Sequence, residues 1–163
     1  DYLDRFPGYY VSGDGGYIDE DGYVFVMGRI DDVINVAGHR LSTGEMEEIV
    51  ADHPAVAECT VFGINDGLKG EIPLGMVLIK DGVDIDEETL NNELKQMVRK
   101  KIGAIACYNK TLIVTRLPKT RSGKILRRVL RQIAAGEEYT VPSTIDDPAS
   151  LVELESVIKD ADI

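Results

Sequence analysis

Ala57-Glu58-Cys59-Thr60-Val61-Phe62-Gly63-Ile64 and Ile72-Pro73-Leu74-Gly75-Met76-Val77-Leu78-Ile79 are two apolar runs of strand length, joined by Asn65-Asp66-Gly67-Leu68-Lys69-Gly70. The joining loop has strong turn chemistry, so the two runs are expected to pair antiparallel as the centre of a small sheet. Upstream, Val33-Ile34-Asn35-Val36 reads as a short strand. Ser42 and Glu45 then have capping-box spacing at the start of a helix, which buries Met46, Ile49 and Val50 and is stopped by Pro54. His53, at the end of that helix, reads as a surface residue compatible with the helix dipole. Downstream, Asp86 is an N-cap for a helix with Leu90, Leu94, Met97, Val98 and Ile102 at helical spacing, closed by Gly103. A strand over Lys110–Arg116 follows, then a helix over Ile125–Ala135 burying Leu126, Val129, Leu130 and Ile133. The order β-α-β-β-α-β-α predicts an α+β fold, a small mixed or antiparallel sheet with flanking helices gathered on one face.

Two further segments flank this unit. Gly16 to Gly28 alternates apolar and polar residues around Asp21-Gly22, which predicts a β-hairpin turning at Glu20 to Gly22, with aromatic faces that need a partner. Arg29-Ile30-Asp31-Asp32 breaks the apolar pattern with charge, as a connector between domains does. The tail changes composition at Glu137, and Asp147-Pro148 opens a short acidic helix carrying Leu151, Leu154 and Ile158. The expected division is therefore 1–31, a hairpin and connector; 32–136, the main unit; and 137–163, an acidic tail.

Charge is unevenly spread along the 163 residues, whose net charge is -11. Residues 94 to 131 hold 12 of the 18 Lys and Arg and no Asp or Glu, while the flanking segments are strongly acidic. That separation suggests negative charge supplied by a ligand, against the plainer reading of a solvated basic helix face. Cys59 and Cys107 lack a Cys-x-x-Cys partner and read as reduced, buried small residues of a cytosol-like compartment. No apolar run approaches bilayer length and the first residues lack a signal-peptide pattern, so the chain reads as soluble, with no membrane partner.

The densest chemistry is Leu117-Pro118-Lys119-Thr120-Arg121-Ser122-Gly123-Lys124-Ile125-Leu126-Arg127-Arg128, five cations in a Gly-Pro frame. The P-loop spacing Gly-x-x-x-x-Gly-Lys-Ser/Thr is absent, so Lys124 is not a P-loop lysine. At the start of a basic helix, after a glycine, it is instead placed to reach outward as a mobile point charge toward an anionic transition state. Arg127, Arg128 and Arg131 read as solvating that helix. Ser12-Gly13-Asp14 puts a carboxylate behind a glycine; it either caps a turn or accepts hydrogen bonds from ligand hydroxyls, and on sequence alone the turn is favoured.

Taken together, Tyr10-Val11-Ser12-Gly13-Asp14, Gly28-Arg29-Ile30-Asp31-Asp32, Val36-Ala37-Gly38-His39-Arg40 and Pro118-Lys119-Thr120-Arg121-Ser122-Gly123-Lys124 resemble, in order, the motifs of the AMP-forming acyl-CoA synthetases. The resemblance covers residues 9 to 136 and looks closest to the acetyl- and propionyl-CoA synthetases of that acyl-adenylate-forming superfamily. It implies a two-step reaction: a small carboxylic acid and ATP give acyl-adenylate and pyrophosphate, and coenzyme A then displaces AMP. The chain would be the end of an N-terminal adenylation domain plus a mobile C-terminal domain that swings between the half-reactions, with Asp31 as hinge. Asp14 would bind the ribose hydroxyls, and Arg29 and Arg40 the nucleotide. Lys124 would be the catalytic lysine of adenylation. Ala37 and Gly38 would line the pantetheine path, and Arg99 would hold a coenzyme A phosphate. The backbone of Ala51, His53 and Val56 would form a cation site, and Mg2+ would accompany ATP. The compartment implied is cytoplasm or mitochondrial matrix.

Some positions depart from the family pattern. Val11-Ser12 stands where many relatives have Arg-Thr, Ala37 where acetyl-specific relatives often have Ser, and Ala104 where Pro is common. These touch the coenzyme A contacts and lean toward the propionyl-type branch. Two alternatives stay open: another adenylating enzyme with a different acceptor, and a polyanion-binding module using residues 94 to 131. The latter lacks aromatic residues interleaved with its cations, and the acidic remainder would repel a nucleic acid.

Overall fold

The computed structural model describes residues 6–30 and 32–161, which divide into two compact units at residue 33. The first holds a hairpin of β1 (Asp14–Ile18) and β2 (Val24–Arg29). Its turn is where the Asp-Gly signal put it: Asp19 Oδ1 accepts the Asp21 and Tyr23 amides at 3.0 and 2.8 Å. A bulge at Gly15/Gly16 lets the strands approach so closely that a Cβ on Gly16 would lie 2.4 Å from the Phe25 carbonyl oxygen. Tyr17 stacks on Phe25 with ring centroids 4.8 Å apart, and Tyr23, Val24 and Val26 stay exposed.

The second unit is built on the two quoted runs. They form β5 (Val56–Asp66) and β6 (Gly70–Ile79), paired antiparallel along their length, from Asp66 opposite Gly70 to Val56 opposite Ile79. Asp66 Oδ1 holds the turn by accepting the Leu68 and Lys69 amides at 3.0 and 2.8 Å. The other side of β6 takes β3 (Val33–Val36) antiparallel at its start and β7 (Lys110–Ile113) parallel over Leu74–Val77. β4 (His39–Ser42) completes a mixed sheet of five strands beside β3, leaving β5 as an edge.

The helices start where their caps say. Ser42 Oγ accepts the Glu45 amide at 3.3 Å to open α1 (Thr43–Ala51). Asp86 Oδ1 accepts the Thr89 amide at 2.8 Å to open α2 (Glu87–Lys101). α3 (Arg127–Ala134) and α4 (Ala149–Asp160) follow, α4 one residue beyond the expected cap because Asp147 receives the Ala149 amide at 2.9 Å from outside the helix.

The expectation that the helices gather on one face is wrong. Along β5, Val61 belongs to a core with α1 and α2, and its neighbour Phe62 belongs to a second core with α3 and α4. Val77 and Met76 of β6 divide the same way. Adjacent strand residues point to opposite faces, so two continuously apolar strands demand cover on both. The tail supplies part of that cover: Leu151, Leu154 and Ile158 of α4 are all at most 5% exposed.

His53 also departs from its reading as a surface residue. It is 4% exposed, with Nδ1 accepting the Ala55 amide at 3.2 Å and Nε2 2.8 Å from Glu93 Oε2 of α2. Since Nδ1 accepts, Nε2 carries the proton and donates to Glu93. A ring with both nitrogens engaged can be buried, and here it ties the end of α1 to α2.

Candidate functional site

Lys124 sits on a small hairpin of its own, where sequence reasoning put the start of a helix. Thr120 donates its amide to the Lys124 carbonyl at 2.9 Å, and its carbonyl accepts the Gly123 amide at 2.8 Å. That is the bonding of a three-residue hairpin loop with glycine at the bulge, and Gly123 has the positive φ, +82°, that the position requires. Thr120 Oγ1 accepts the Lys124 amide at 3.1 Å and lies 2.9 Å from Ser122 Oγ. The Leu126 amide donates to Pro118 at 2.9 Å, which draws residues 125 and 126 into the hairpin and delays α3 to Arg127. Lys124 is exposed, and its ammonium has no hydrogen-bond or ion-pair partner among the described residues.

The acid-free segment finds much of its negative charge within the fold. Arg127 is half-buried and bidentate to Glu47 of α1, Nε to Oε1 at 2.9 Å and a terminal nitrogen to Oε2 at 2.5 Å. Lys119 donates to Glu58 Oε2 at 2.7 Å, and Arg116 bonds both Asp147 and Glu153. Arg127 is thus a structural pin and not a solvating residue. Acids far away in sequence return next to these cations. Two exposed groups of cations are left without a side-chain partner among the described residues: Arg99, Lys100 and Lys101 in the last turn of α2, and Arg121, Lys124 and Arg128 around the hairpin.

Ala37 and Gly38 form the turn between β3 and β4, with φ of +48° and +85°. Both central residues being left-handed is the two-residue hairpin geometry, in which alanine is the strained member. A Cβ at Gly38 would meet nothing within 4 Å, so the turn stands open. Arg40, on β4, is exposed. Arg99 borders a cleft of about 50 Å³ shared with Lys95, Cys107 and Asn109.

In the first unit, Asp14 and Arg29 are brought together directly. Asp14 opens β1, not a turn, and lies opposite Arg29 in the register, with Arg29 to Asp14 Oδ1 at 3.8 Å. Arg29 also donates to the Ser12 carbonyl at 2.6 Å. Gly13 leaves the room: a Cβ there would lie 2.9 Å from the guanidinium. Asp31, the expected hinge, lies outside the described residues.

No cluster of three or more His, Cys, Asp or Glu side chains able to hold a metal is present among the described residues. The backbone site is another matter. Ala51, His53 and Val56 span the turn from the end of α1 into β5, and the His53 carbonyl accepts the Val56 amide at 3.0 Å with a second lone pair to spare. Carbonyl oxygens at a helix C-terminus suit a hard cation, which fits Ala51 and His53, whereas Val56 already opens β5. No helix among the described residues is long and apolar enough to cross a membrane.

Residues 45–124 match, and belong to, the family described as the AMP-binding enzyme C-terminal domain. Among its relatives, an uncharacterized protein of Pseudomonas aeruginosa is 63% identical over 97% of this chain and 25% of its own length. The mitochondrial acyl-CoA synthetase short-chain family member B of Dictyostelium discoideum is 53% identical, over 94% of this chain and 22% of its own. A crystal structure of Brucella canis acyl-CoA synthetase is 37% identical with a TM-score of 0.61, covering 81% of this chain and 24% of that one. The chain thus spans about a quarter of the length of the curated relatives it matches.

Proposed function

We propose that this chain is the C-terminal part of an AMP-forming short-chain acyl-CoA synthetase, which converts acetate or propionate, ATP and coenzyme A to acyl-CoA, AMP and pyrophosphate. The observation that carries the reading is the Lys124 hairpin. It presents one unpaired ammonium on a loop hydrogen-bonded at both ends, as needed where charge builds on the α-phosphate during carboxylate attack. A preorganised cation stabilises that charge without reorganising at the moment of reaction.

The other assignments follow the same logic. Asp14 accepts hydrogen bonds from the ribose diol, while Arg29, beside it, and Arg40 hold the nucleotide. Arg99, at the far end of α2, takes a coenzyme A phosphate, and the open Ala37-Gly38 turn lets pantetheine pass. Two separate cation groups suit one domain serving two half-reactions by rotation, with Asp31 as the hinge. Residues 1–31 are read as the end of the N-terminal domain, 32–136 as the mobile C-terminal domain, and 137–163 as an acidic tail packed into its second core. Mg2+ would accompany ATP, and the Ala51, His53 and Val56 carbonyls would hold a cation. The exposed Tyr23, Val24 and Val26 of the hairpin are apolar surface of the kind an N-terminal domain covers. The enzyme works in the cytoplasm or mitochondrial matrix, without nucleic acid or membrane partners. In the full-length enzyme, Arg99→Ala should raise the KM for coenzyme A about tenfold, the loss of roughly one charged hydrogen bond, and leave adenylation intact. An unchanged KM would favour an adenylating enzyme with another acceptor.

A further inference from the structure

The acidic tail lies outside residues 45–124 of the family match, yet it touches the hairpin that carries Lys124. Residues 144 to 146 run antiparallel to the outer arm of that hairpin, with Thr120 opposite Ile145. The Arg121 amide donates to the Thr144 carbonyl at 3.0 Å, and the Asp146 amide donates to the Lys119 carbonyl at 2.9 Å. Both bonds are backbone to backbone, so the first arm of the hairpin, residues 118–120, becomes the middle strand of a three-stranded ribbon.

This strap is anchored at its centre and just beyond its C-terminal end. Ile145 is 5% exposed and sits in the second core with Leu117, Val129 and Leu130. Just beyond it, Asp147 is bonded by Arg116, which also grips Glu153 of α4. α4 in turn is seated on the sheet through Leu151, Leu154 and Ile158. The chain therefore leaves α3, crosses back and returns to brace the loop four residues before Lys124.

We infer that residues 144–146 are a positioning strap for Lys124, with Ile145 as its anchor, and that the tail is a working part of adenylation. The inference rests on the reading of Lys124 as the adenylation lysine. A point charge aimed at a transition state must be held within a fraction of an ångström, and a short hairpin arm with an open edge does not do that alone. The strap supplies the missing edge partner, and it bears on the adenylation orientation only.

The test uses the full-length enzyme with Asp146→Pro, which removes one strap amide, and Ile145→Ala, which loosens the anchor. Acyl-adenylate formation and thioester formation from supplied acyl-adenylate are measured separately, beside Lys124→Ala. Both strap variants should lower the kcat of adenylation by about tenfold or more, with little change in the KM for ATP and thioester formation within about twofold. A folded variant with wild-type adenylation, or with equal losses in both half-reactions, overturns the strap. If Lys124→Ala itself leaves adenylation intact, the underlying reading has failed instead. A second measurement needs no variant: in the unmodified enzyme the Arg121 amide should exchange with solvent much more slowly than an open loop amide, and free exchange there also overturns the proposal.

Discussion

Replacing Glu47 by alanine strikes the pin that joins three elements. Its carboxylate accepts from Thr60 Oγ1 at 2.9 Å, from the Val61 amide at 2.8 Å and from both ends of the Arg127 guanidinium fork. Thr60 and Val61 are fully buried, so their donors cannot turn to water when the acceptor goes. Two unsatisfied buried donors cost about 1–3 kcal/mol each. The Arg127 side chain is 22% exposed and can partly rehydrate, which keeps its share small. A net loss of about 3 kcal/mol follows, equivalent to a fall in melting temperature of roughly 6–12 °C for a chain of this size. Thermal unfolding followed by circular dichroism measures it. Glu47→Gln, which keeps an acceptor oxygen for the buried donors, should lose less than half as much. A fall below about 2 °C for Glu47→Ala would refute the argument, because so small a change means the donors find other partners.

Other outcomes follow from the same contacts. The Cys59 thiol is pushed up to about 12 by burial first and by the Glu47 and Glu58 carboxylates next, so it should resist iodoacetamide at pH 8; rapid alkylation of Cys59, located by peptide mapping, would contradict this. Because that pKa is raised above the ordinary 9.0, the linked stability is complete below pH 9 and is lost as pH climbs toward 12. At the acid end, the hydrogen bond from Arg116 holds Glu153 below its ordinary 4.5, so its contribution is present above pH 4.5 and disappears as pH falls further. The urea midpoints of the wild type and Glu153→Gln should accordingly differ at pH 6 and draw together as pH falls below 4.5, and a gap that does not narrow over that range would contradict the assignment.

Much of the fold could be read in advance because its signals are local. Ser42 and Asp86 announce α1 and α2, Asp21-Gly22 announces the first hairpin, and the Asn65 to Gly70 loop announces the central pair. β4 was missed since His39-Arg40-Leu41-Ser42 is a short, mostly polar edge strand without a strand-like apolar face. The second layer of helices had a signal that was not used: Val61-Phe62 and Met76-Val77 are apolar on both faces, and a half-exposed sheet would alternate. The Glu47–Arg127 pair joins residues 80 apart, and the strap is made of backbone bonds, so neither leaves a local trace. At the site, Asp14 and Arg29 were named separately and prove to be cross-strand neighbours. Lys124 was singled out for its glycine and cations, but its hairpin depends on Thr120 Oγ1, which composition does not mark.

The most direct measurement compares the two half-reactions of the full-length enzyme carrying Lys124→Ala. Pyrophosphate exchange reports adenylation, and thioester formation from supplied acyl-adenylate reports the second step. The account predicts a loss of about 10²-fold or more in the first and little change in the second. Equal losses in both, or none in either, would contradict it.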